Sequence, residues 1–186
     1  MKFITRNHRL FFFPIWFLIN LIQAGTTELF DDEAYYWIYS QYPARGYFDH
    51  PPMIAWLIKA GYTIFPYELG VRLFIVLMNT ATLFIIQKLT EKKNDFLFYA
   101  IAASIAVAQI GGIIAVPDIP LLFFVSLFFL LYRHFLSNTS IANSFLLGIS
   151  IALMLYSKYH GILILFFTLI SNPKLLSKYQ TSLAAL

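Results

Sequence analysis

The chain has 186 residues, of which 60% are hydrophobic, 19% aromatic and only 12% charged, with a formal net charge of +4. Soluble domains usually carry about a quarter of their residues as charged side chains, so this composition excludes an ordinary soluble domain and favours a polytopic membrane protein. The sequence contains no cysteine, which excludes disulfides and cysteine-ligated metals, and its basic residues fall at the ends of apolar runs, which indicates topology rather than nucleic-acid binding.

Apolar runs long enough to cross a bilayer, which takes roughly 17–25 residues, predict an all-α integral membrane bundle of about six spans. In chain order they cover residues 10–24, 69–89, 96–116, 119–135, 141–156 and 159–170. No small-residue cleavage motif follows the first run, so we interpret it as an uncleaved helix rather than a signal peptide. The sixth run is short and fits either a span or a tilted or re-entrant piece.

The distribution of charge predicts how these spans are oriented. With the N-terminus in the cytoplasm, the inner segments hold Lys2, Arg6, Arg9, Lys88, Lys92, Lys93, Arg133, Lys174 and Lys178. The outer segments hold only Arg45, Lys59, Arg72 and Lys158, as the positive-inside rule requires. The outer side also collects Glu28, Asp31, Asp32, Glu33, Asp49, Glu68 and Asp118. The positive-inside rule does not account for acids, so this collection predicts a site on the outer face.

The first outer loop, about residues 25–68, is the longest connection and carries most of these acids together with many aromatic residues. Long loops are usually functional. Two short helices are expected to lie along the membrane surface within it. One would follow a cap made by Asp31 and Asp32, and the other would begin at Pro51 and Pro52, because proline is tolerated in a first helical turn.

Two interpretations fit the adjacent acids Asp32 and Glu33. A carboxylate that faces the outer leaflet can act as a general base on an acceptor hydroxyl, and the two together can bind a metal ion. Alternatively, both acids cap the following helix and interact favourably with its dipole. The surrounding aromatic residues at a membrane boundary favour the functional interpretation, more strongly for Asp32.

The segment Asp49-His50-Pro51-Pro52 also has two readings. Pro51 restricts His50 to an extended conformation, and the N-terminus of the following helix favours anions, so a phosphate would fit here with His50 as its partner. The alternative is a rigid turn in which Asp49 caps the helix.

Three further charged residues lie at the outer ends of spans. Asp118 lies between the third and fourth runs, where an acid is costly unless it is used or hydrated; it is either part of a site or a helix cap. Lys158 and Arg72 are candidates to bind a lipid phosphate, or they extend to the interface to keep their charges in water.

The motifs that carry a family resemblance follow one another along nearly the whole chain. They are Asp-Glu-Ala-Tyr-Tyr at 32–36, Gly-Tyr-Phe-Asp-His-Pro-Pro at 46–52, Val-Arg-Leu at 71–73, Pro-Asp-Ile-Pro-Leu at 117–121 and Ser-Lys-Tyr-His-Gly at 157–161. In this order they resemble the N-terminal half of bacterial GT-C glycosyltransferases of the dolichyl-phosphate-mannose-protein mannosyltransferase-like group, which includes aminoarabinose transferases of lipid A.

The resemblance implies a GT-C-like helix bundle in the bacterial inner membrane, with interfacial helices in a periplasmic first loop. The implied chemistry is inverting transfer of a sugar from a polyprenyl-phosphate-linked donor to a lipid or protein acceptor on the outer face. Asp32 would be the base, and Arg72 and Lys158 would contact the donor phosphate. Some relatives have lysine where this chain has His50. Some members of the superfamily use a divalent metal, for which Asp32 and Glu33 are the candidate ligands.

Family members usually run to several hundred residues, so residues 1–186 are expected to be an N-terminal part, a truncated product or one piece of a split enzyme. Two other functions are compatible with the composition: a transporter or channel subunit that uses intramembrane acids, and an inactive fragment. A transporter places its polar groups near the midplane of the membrane, whereas here they fall at the outer boundary. This placement favours the enzyme.

Overall fold

The computed structural model describes residues 8–90, 95–105 and 112–177, and within these residues the chain is helical without any strand. The helices are α1 His8–Thr26, α2 Asp31–Gln41, α3 Met53–Ile64, α4 Glu68–Leu89, α5 Asp95–Ser104, α6 Asp118–Ser137, α7 Ile141–Ser157 and α8 Gly161–Ser171, followed by a 3₁₀ helix, Pro173–Ser177. The predicted all-helical class is confirmed. The predictions for Lys2, Arg6, Lys92, Lys93, Lys178 and residues 106–111 lie outside the described residues.

Two of the described helices, α4 with 22 residues and α6 with 20, are long and apolar enough to cross a membrane. The apolar segments Phe11–Thr26, Ile141–Ser157 and Gly161–Ser171 are shorter. The number of six spans therefore stays a prediction.

The third predicted span differs from the structure. A continuous helix was expected over residues 96–116, but α5 ends at Ser104 and residues 112–117 form turns, a bend and irregular chain. The backbone N–H of Ala115 donates to the Glu33 carboxylate at 2.8 Å. A tertiary hydrogen bond to a buried acid thus replaces the local helical bond that the apolar sequence predicted.

Helix α4 is the centre of the bundle, where it packs against α1, α3 and α6, while α7 packs against α6. The close approach of α3 to α4 depends on two glycines. A Cβ at Gly61 would overlap the carbonyl oxygen of Gly70, and a Cβ at Gly70 would overlap the carbonyl oxygens of Phe65 and Gly61. These glycines bring the first loop tightly against the start of α4.

The two short helices predicted in the first loop are present as α2 and α3, in the segment that joins α1 to α4. The predicted cap of α2 is wrong, because Phe30 occupies the cap position and Asp31 and Asp32 lie inside the first turn. Helix α3 starts directly after Pro52, as expected. Their location along a membrane surface stays a prediction.

One apolar cluster joins the first loop to the bundle. It contains Tyr36 of α2, Ile54 and Ile58 of α3, Val71 and Ile75 of α4, Ala115, and Ile119 of α6. The ends of several helices therefore meet at one end of the bundle, the end that carries the acidic motifs.

A buried ion pair between Glu33 and Arg72 lies beside this cluster, and both side chains have an exposed fraction of 0%. Glu33 Oε1 accepts from Arg72 Nε at 2.7 Å and from Ala115 N at 2.8 Å. Glu33 Oε2 accepts from Arg72 Nη2 at 2.5 Å and from the backbone N–H of Phe30 at 3.0 Å. Both carboxylate oxygens are therefore fully engaged.

The guanidinium of Arg72 is equally engaged. Beyond Glu33, its Nη1 donates to the carbonyl oxygens of Ala24 at 3.1 Å and Thr27 at 2.7 Å, and its Nη2 donates to that of Glu28 at 2.8 Å. A guanidinium has five N–H donors, and all five meet an oxygen. These bonds fasten the end of α1 and the start of α2 to one side chain of α4, and Glu33 links the segment before α6 to the same network through Ala115.

Glu33→Gln is expected to lower the free energy of unfolding by about 3–5 kcal/mol, because it leaves the Arg72 charge buried without a counter-charge. Asp31→Asn is the matched control, since it neutralises an exposed acid in the same helical turn. Unfolding of the detergent-solubilised protein measures both. Additive losses in Glu33→Gln, Arg72→Gln and the double variant would contradict direct coupling between the two side chains.

Candidate active site

The structure gathers the predicted site residues at the end of the bundle where the ion pair lies, in four places. Glu33 and Arg72 form the buried pair, Asp49 and His50 join a cluster of tyrosines, Asp118 and Lys158 form a second ion pair, and Asp32 is exposed.

Asp32 has the freest carboxylate of these acids. It lies in the first turn of α2, its side chain is exposed, and it has no hydrogen-bond or ion-pair partner in the described part of the chain. The next residue, Glu33, is fixed in the core, which determines the position and rotation of this helical turn. The backbone of this turn is therefore fixed, while the Asp32 carboxylate is exposed at the protein surface and unbound by any described residue.

Asp49 binds two tyrosines of α2 rather than capping α3. Its Oδ1 accepts from Tyr39 at 2.9 Å and its Oδ2 accepts from Tyr35 at 3.0 Å, and the two hydroxyls also contact each other. Desolvation raises the pKa of Asp49. The hydrogen bonds from Tyr39 and Tyr35, together with the nearby His50, lower the pKa by more, so that it is below its ordinary value. Asp49 is therefore a fixed negative charge.

The hydrogen bond with Tyr35 is the main cause of a raised pKa at Tyr39. Tyr39 also stacks on Tyr47 with ring centroids 4.1 Å apart. The tyrosines of α2 therefore tie the middle of the loop to the helix that carries Asp32.

His50 points to α2 as well, where its Nε2 lies 3.0 Å from the hydroxyl of Tyr36. The same nitrogen is 3.6 Å from the Asp49 carboxylate. Pro51 and Pro52 follow and are buried. His50 lies in a bend before the two prolines and is positioned by a tyrosine and an acid.

Tyr36 connects the acidic groups electrostatically. Burial, followed by the charges of Asp32 and Asp49, raises its pKa from 10.0 to about 12, and Asp118 contributes in the same direction. All three carboxylates therefore act on this one hydroxyl. At neutral pH Tyr36 keeps its proton, so it serves as a hydrogen-bonding group and not as a base.

Asp118 and Lys158 pair across the N-terminus of α6 and the end of α7. Lys158 Nζ lies 2.7 Å from Asp118 Oδ1 and 2.9 Å from Oδ2. The Asp118 side chain is 54% exposed and that of Lys158 is 22% exposed, so solvent or a ligand can reach the pair. The cap position of α6 belongs to Pro117, so Asp118 is not its N-cap residue.

The geometry separates these residues by what they can do. Direct contact of Arg72 with a donor phosphate does not fit, because its five N–H donors already meet protein oxygens. Glu33 has no free oxygen for a proton or a metal. Asp32 can accept a proton, and Lys158 is accessible to an anion.

The surroundings of Asp32 and Glu33 bear on whether they could hold a divalent metal. No group of three or more His, Asp or Glu side chains arranged to hold a metal ion occurs in residues 8–90, 95–105 and 112–177. Of the two candidate ligands, only Asp32 has free oxygens. The described residues therefore do not form a metal site around the Asp32–Glu33 pair.

Sequence reasoning missed the role of the tyrosines. The sequence indicates only that the first loop is rich in aromatic residues, whereas in the structure Tyr35 and Tyr39 bond Asp49 and Tyr36 bonds His50. The spacing of Tyr35 and Tyr39, four residues apart on one helix face, was the signal that they share a partner.

Comparisons with known proteins agree with the motifs. A family model described as dolichyl-phosphate-mannose-protein mannosyltransferase matches residues 49–186. A lipid A galacturonosyltransferase of Rhizobium johnstonii is 26% identical over 153 residues, which make up 79% of this chain and 32% of that relative. The chain thus spans about a third of the length of this curated relative. No solved structure matches it.

The family match covers well over half of the chain and confirms the resemblance drawn from the motifs. It also agrees with the apolar, all-helical structure. The chain belongs to the dolichyl-phosphate-mannose-protein mannosyltransferase family, a polytopic membrane family of the GT-C glycosyltransferase type.

Proposed function

We propose that the chain is part of an enzyme that transfers a sugar from a polyprenyl-phosphate-linked donor to an acceptor on the outer face of the bacterial inner membrane. In this proposal Asp32 and the residues around it bind and activate the acceptor. The observation that carries the proposal is the exposed carboxylate of Asp32 on a helical turn fixed by the buried Glu33–Arg72 pair. An isolated, oriented carboxylate is what general-base catalysis requires.

In the proposed reaction, Asp32 takes the proton of an acceptor hydroxyl as its oxygen attacks the anomeric carbon of the sugar. The new C–O bond forms while the bond between that carbon and the phosphate oxygen breaks. The polyprenyl phosphate leaves with the bonding electron pair, and the configuration at the anomeric carbon inverts. Glu33 and Arg72 act as positioning residues in this proposal, because they contact only protein atoms.

Lys158 is the proposed contact for the donor phosphate. It lies at the end of α7, its ammonium group is partly exposed, and its charge is shared with Asp118. A phosphate can join this pair without breaking a buried network, which is not true of Arg72. The tyrosine cluster around Asp49 and His50 would then contact the sugar or the acceptor through its hydroxyl groups.

The name of the Rhizobium relative favours a lipid acceptor over a protein acceptor, since that protein is described as acting on lipid A. For this chain the acceptor class is part of the proposal. A transporter function has less support, because the charged groups gather at one end of the bundle rather than at the middle of α4 or α6.

Asp32→Asn is expected to lower sugar transfer by about 10²–10⁴-fold while the unfolding temperature stays the same, because the side chain is exposed and makes no contact that folding needs. Asp31→Asn removes an exposed acid one residue earlier and serves as the control. Turnover in membranes that contain the enzyme is the measurement. Unchanged turnover in Asp32→Asn would exclude the base role.

Lys158→Ala is expected to weaken binding of the lipid-linked donor by about 10–100-fold, the usual cost of losing a charge-assisted hydrogen bond. Lys158→Arg should retain part of the affinity because the charge remains. Lys59→Ala, which removes an exposed base of α3, should have little effect. Donor affinity equal to wild type in Lys158→Ala would leave Lys158 only as the partner of Asp118.

The proposed orientation is tested with single cysteines, since the natural sequence has none. Phe48→Cys lies at an exposed position of the first loop and Asn138→Cys at an exposed position between α6 and α7. An impermeant thiol reagent added outside intact spheroplasts should label the first and not the second. Labelling of Asn138→Cys alone would show the opposite orientation and would contradict a site on the outer face.

A further inference from the structure

A cleft of about 400 Å³ lies beside the candidate site and is not used by the reaction proposed above. It opens between the Pro51-Pro52 turn, the last turn of α7 and the first turn of α8. Its walls are formed by Pro51, Pro52, Leu155 and Ile162. Ligand sites usually have volumes of about 300–1,000 Å³ and mostly apolar walls with few polar groups, so the cleft fits a small or partly enclosed ligand.

One charged residue, Arg45, lines the cleft, together with Tyr156 and Tyr159. Arg45 has no acidic partner in the described ranges 8–90, 95–105 and 112–177. In this it differs from Arg72, which is buried in its pair, and from Lys158, which is paired with Asp118. The cleft therefore combines apolar walls with an uncompensated guanidinium.

The backbone next to Arg45 is held by hydrogen bonds, while the Arg45 side chain itself is exposed. The preceding residue, Ala44, donates its N–H to the Tyr47 hydroxyl at 3.2 Å and accepts from Trp56 Nε1 at 3.1 Å. The Tyr47 hydroxyl donates in turn to the backbone of α2. The ring of Trp56 also packs against Tyr156 on the opposite wall, with centroids 5.7 Å apart. The loop and the cleft wall are thus joined before any ligand arrives.

We propose that this cleft binds the phosphate end of a polyprenyl phosphate, with Arg45 on the phosphate and the first isoprenoid units between the proline turn and α7. The inference rests on the proposed function and adds a lipid-binding residue to it. A planar guanidinium binds phosphate through two parallel hydrogen bonds, and an apolar wall requires an apolar chain. A soluble sugar nucleotide would satisfy Arg45 but leave the walls unmatched.

The position of the cleft agrees with this occupant. Tyr156 and Tyr159 flank Lys158 in sequence, so the proposed donor contact adjoins the cleft. His50 directly precedes the proline wall and is bonded to Tyr36, the tyrosine on which Asp32 acts. A lipid phosphate at Arg45 would therefore have its attached sugar within reach of residues that connect to the candidate base.

The test measures the affinity of a polyprenyl monophosphate for the purified protein in phosphatidylcholine nanodiscs. Arg45→Gln is expected to weaken binding by about tenfold or more. Lys59→Gln removes an exposed base that does not line this cleft, and a general attraction of anionic lipid to basic residues would cost no more than about fivefold per residue. Ile162→Trp, which fills the cleft, should weaken binding without removing a charge.

Competition identifies the occupant. A dioleoyl phosphatidic acid has a phosphate headgroup on acyl chains, and inorganic phosphate has no chain; both should compete poorly with the polyprenyl phosphate. Equal competition by phosphatidic acid, or equal losses in Arg45→Gln and Lys59→Gln, would overturn the inference and leave a non-specific anionic surface.

Failure of the inference can be told apart from failure of the proposed function. If Lys158→Ala weakens donor binding and Arg45→Gln and Ile162→Trp do not, the cleft is not the lipid site, while the donor class stands. If the wild-type protein neither binds the polyprenyl phosphate nor transfers a sugar from it, both are overturned. Arg45→Gln should fold normally in every case, because the Arg45 side chain is exposed and makes no hydrogen bond or ion pair with the described residues.

Discussion

The buried pair of Glu33 and Arg72 constrains the whole candidate site. If either side chain moved away, the other charge would be left unpaired in an apolar interior. The two residues are 39 positions apart in the sequence, and the same carboxylate reaches Ala115, 82 positions away. Burial of an ion pair is favourable only when its remaining donors and acceptors are also satisfied. Here the backbone of α1, of the start of α2 and of the segment before α6 supplies those partners. The ends of three otherwise separate helices are thereby fixed relative to α4.

This constraint explains why two adjacent acids have opposite environments. Successive residues of a helix point about 100° apart, so a turn that directs Glu33 into the core directs Asp32 away from it. The buried Glu33 fixes the rotation of α2. This rotation sets the direction of the Asp32 side chain, although no group among the described residues binds its carboxylate. The same rotation places Tyr36 inward, where it bonds His50, and Tyr35 and Tyr39 toward Asp49. One helical turn thus carries both the acid that anchors the loop, Glu33, and the acid proposed as the base, Asp32.

Local sequence signals predicted those parts of the structure that depend on local physics. Apolar runs predicted α4 and α6, proline predicted the start of α3, and the density of acids and aromatic residues predicted a site in the first loop. Two of the failures involve distant partners. The apolar run at 96–116 indicated an unbroken helix because nothing nearby announces that the N–H of Ala115 bonds to Glu33. Arg72 resembled an interfacial base because its five oxygen partners lie 39 to 48 residues earlier in the chain.

The distribution of charged residues around the cleft favours one orientation of the donor in the proposed reaction. In an inverting glycosyl transfer the acceptor oxygen attacks the anomeric carbon from the face opposite the leaving phosphate, so the base and the phosphate lie on opposite sides of the sugar. Asp32, Asp49 and Asp118 all act electrostatically on Tyr36, and a phosphate among them would be repelled unless a cation compensated. Lys158 compensates Asp118 at the edge of this group, while Arg45, which has no acidic partner among the described residues, lines the cleft beside Pro51 and Pro52. The arrangement therefore favours an orientation in which the lipid phosphate enters from the Arg45 cleft and the sugar points to the acids.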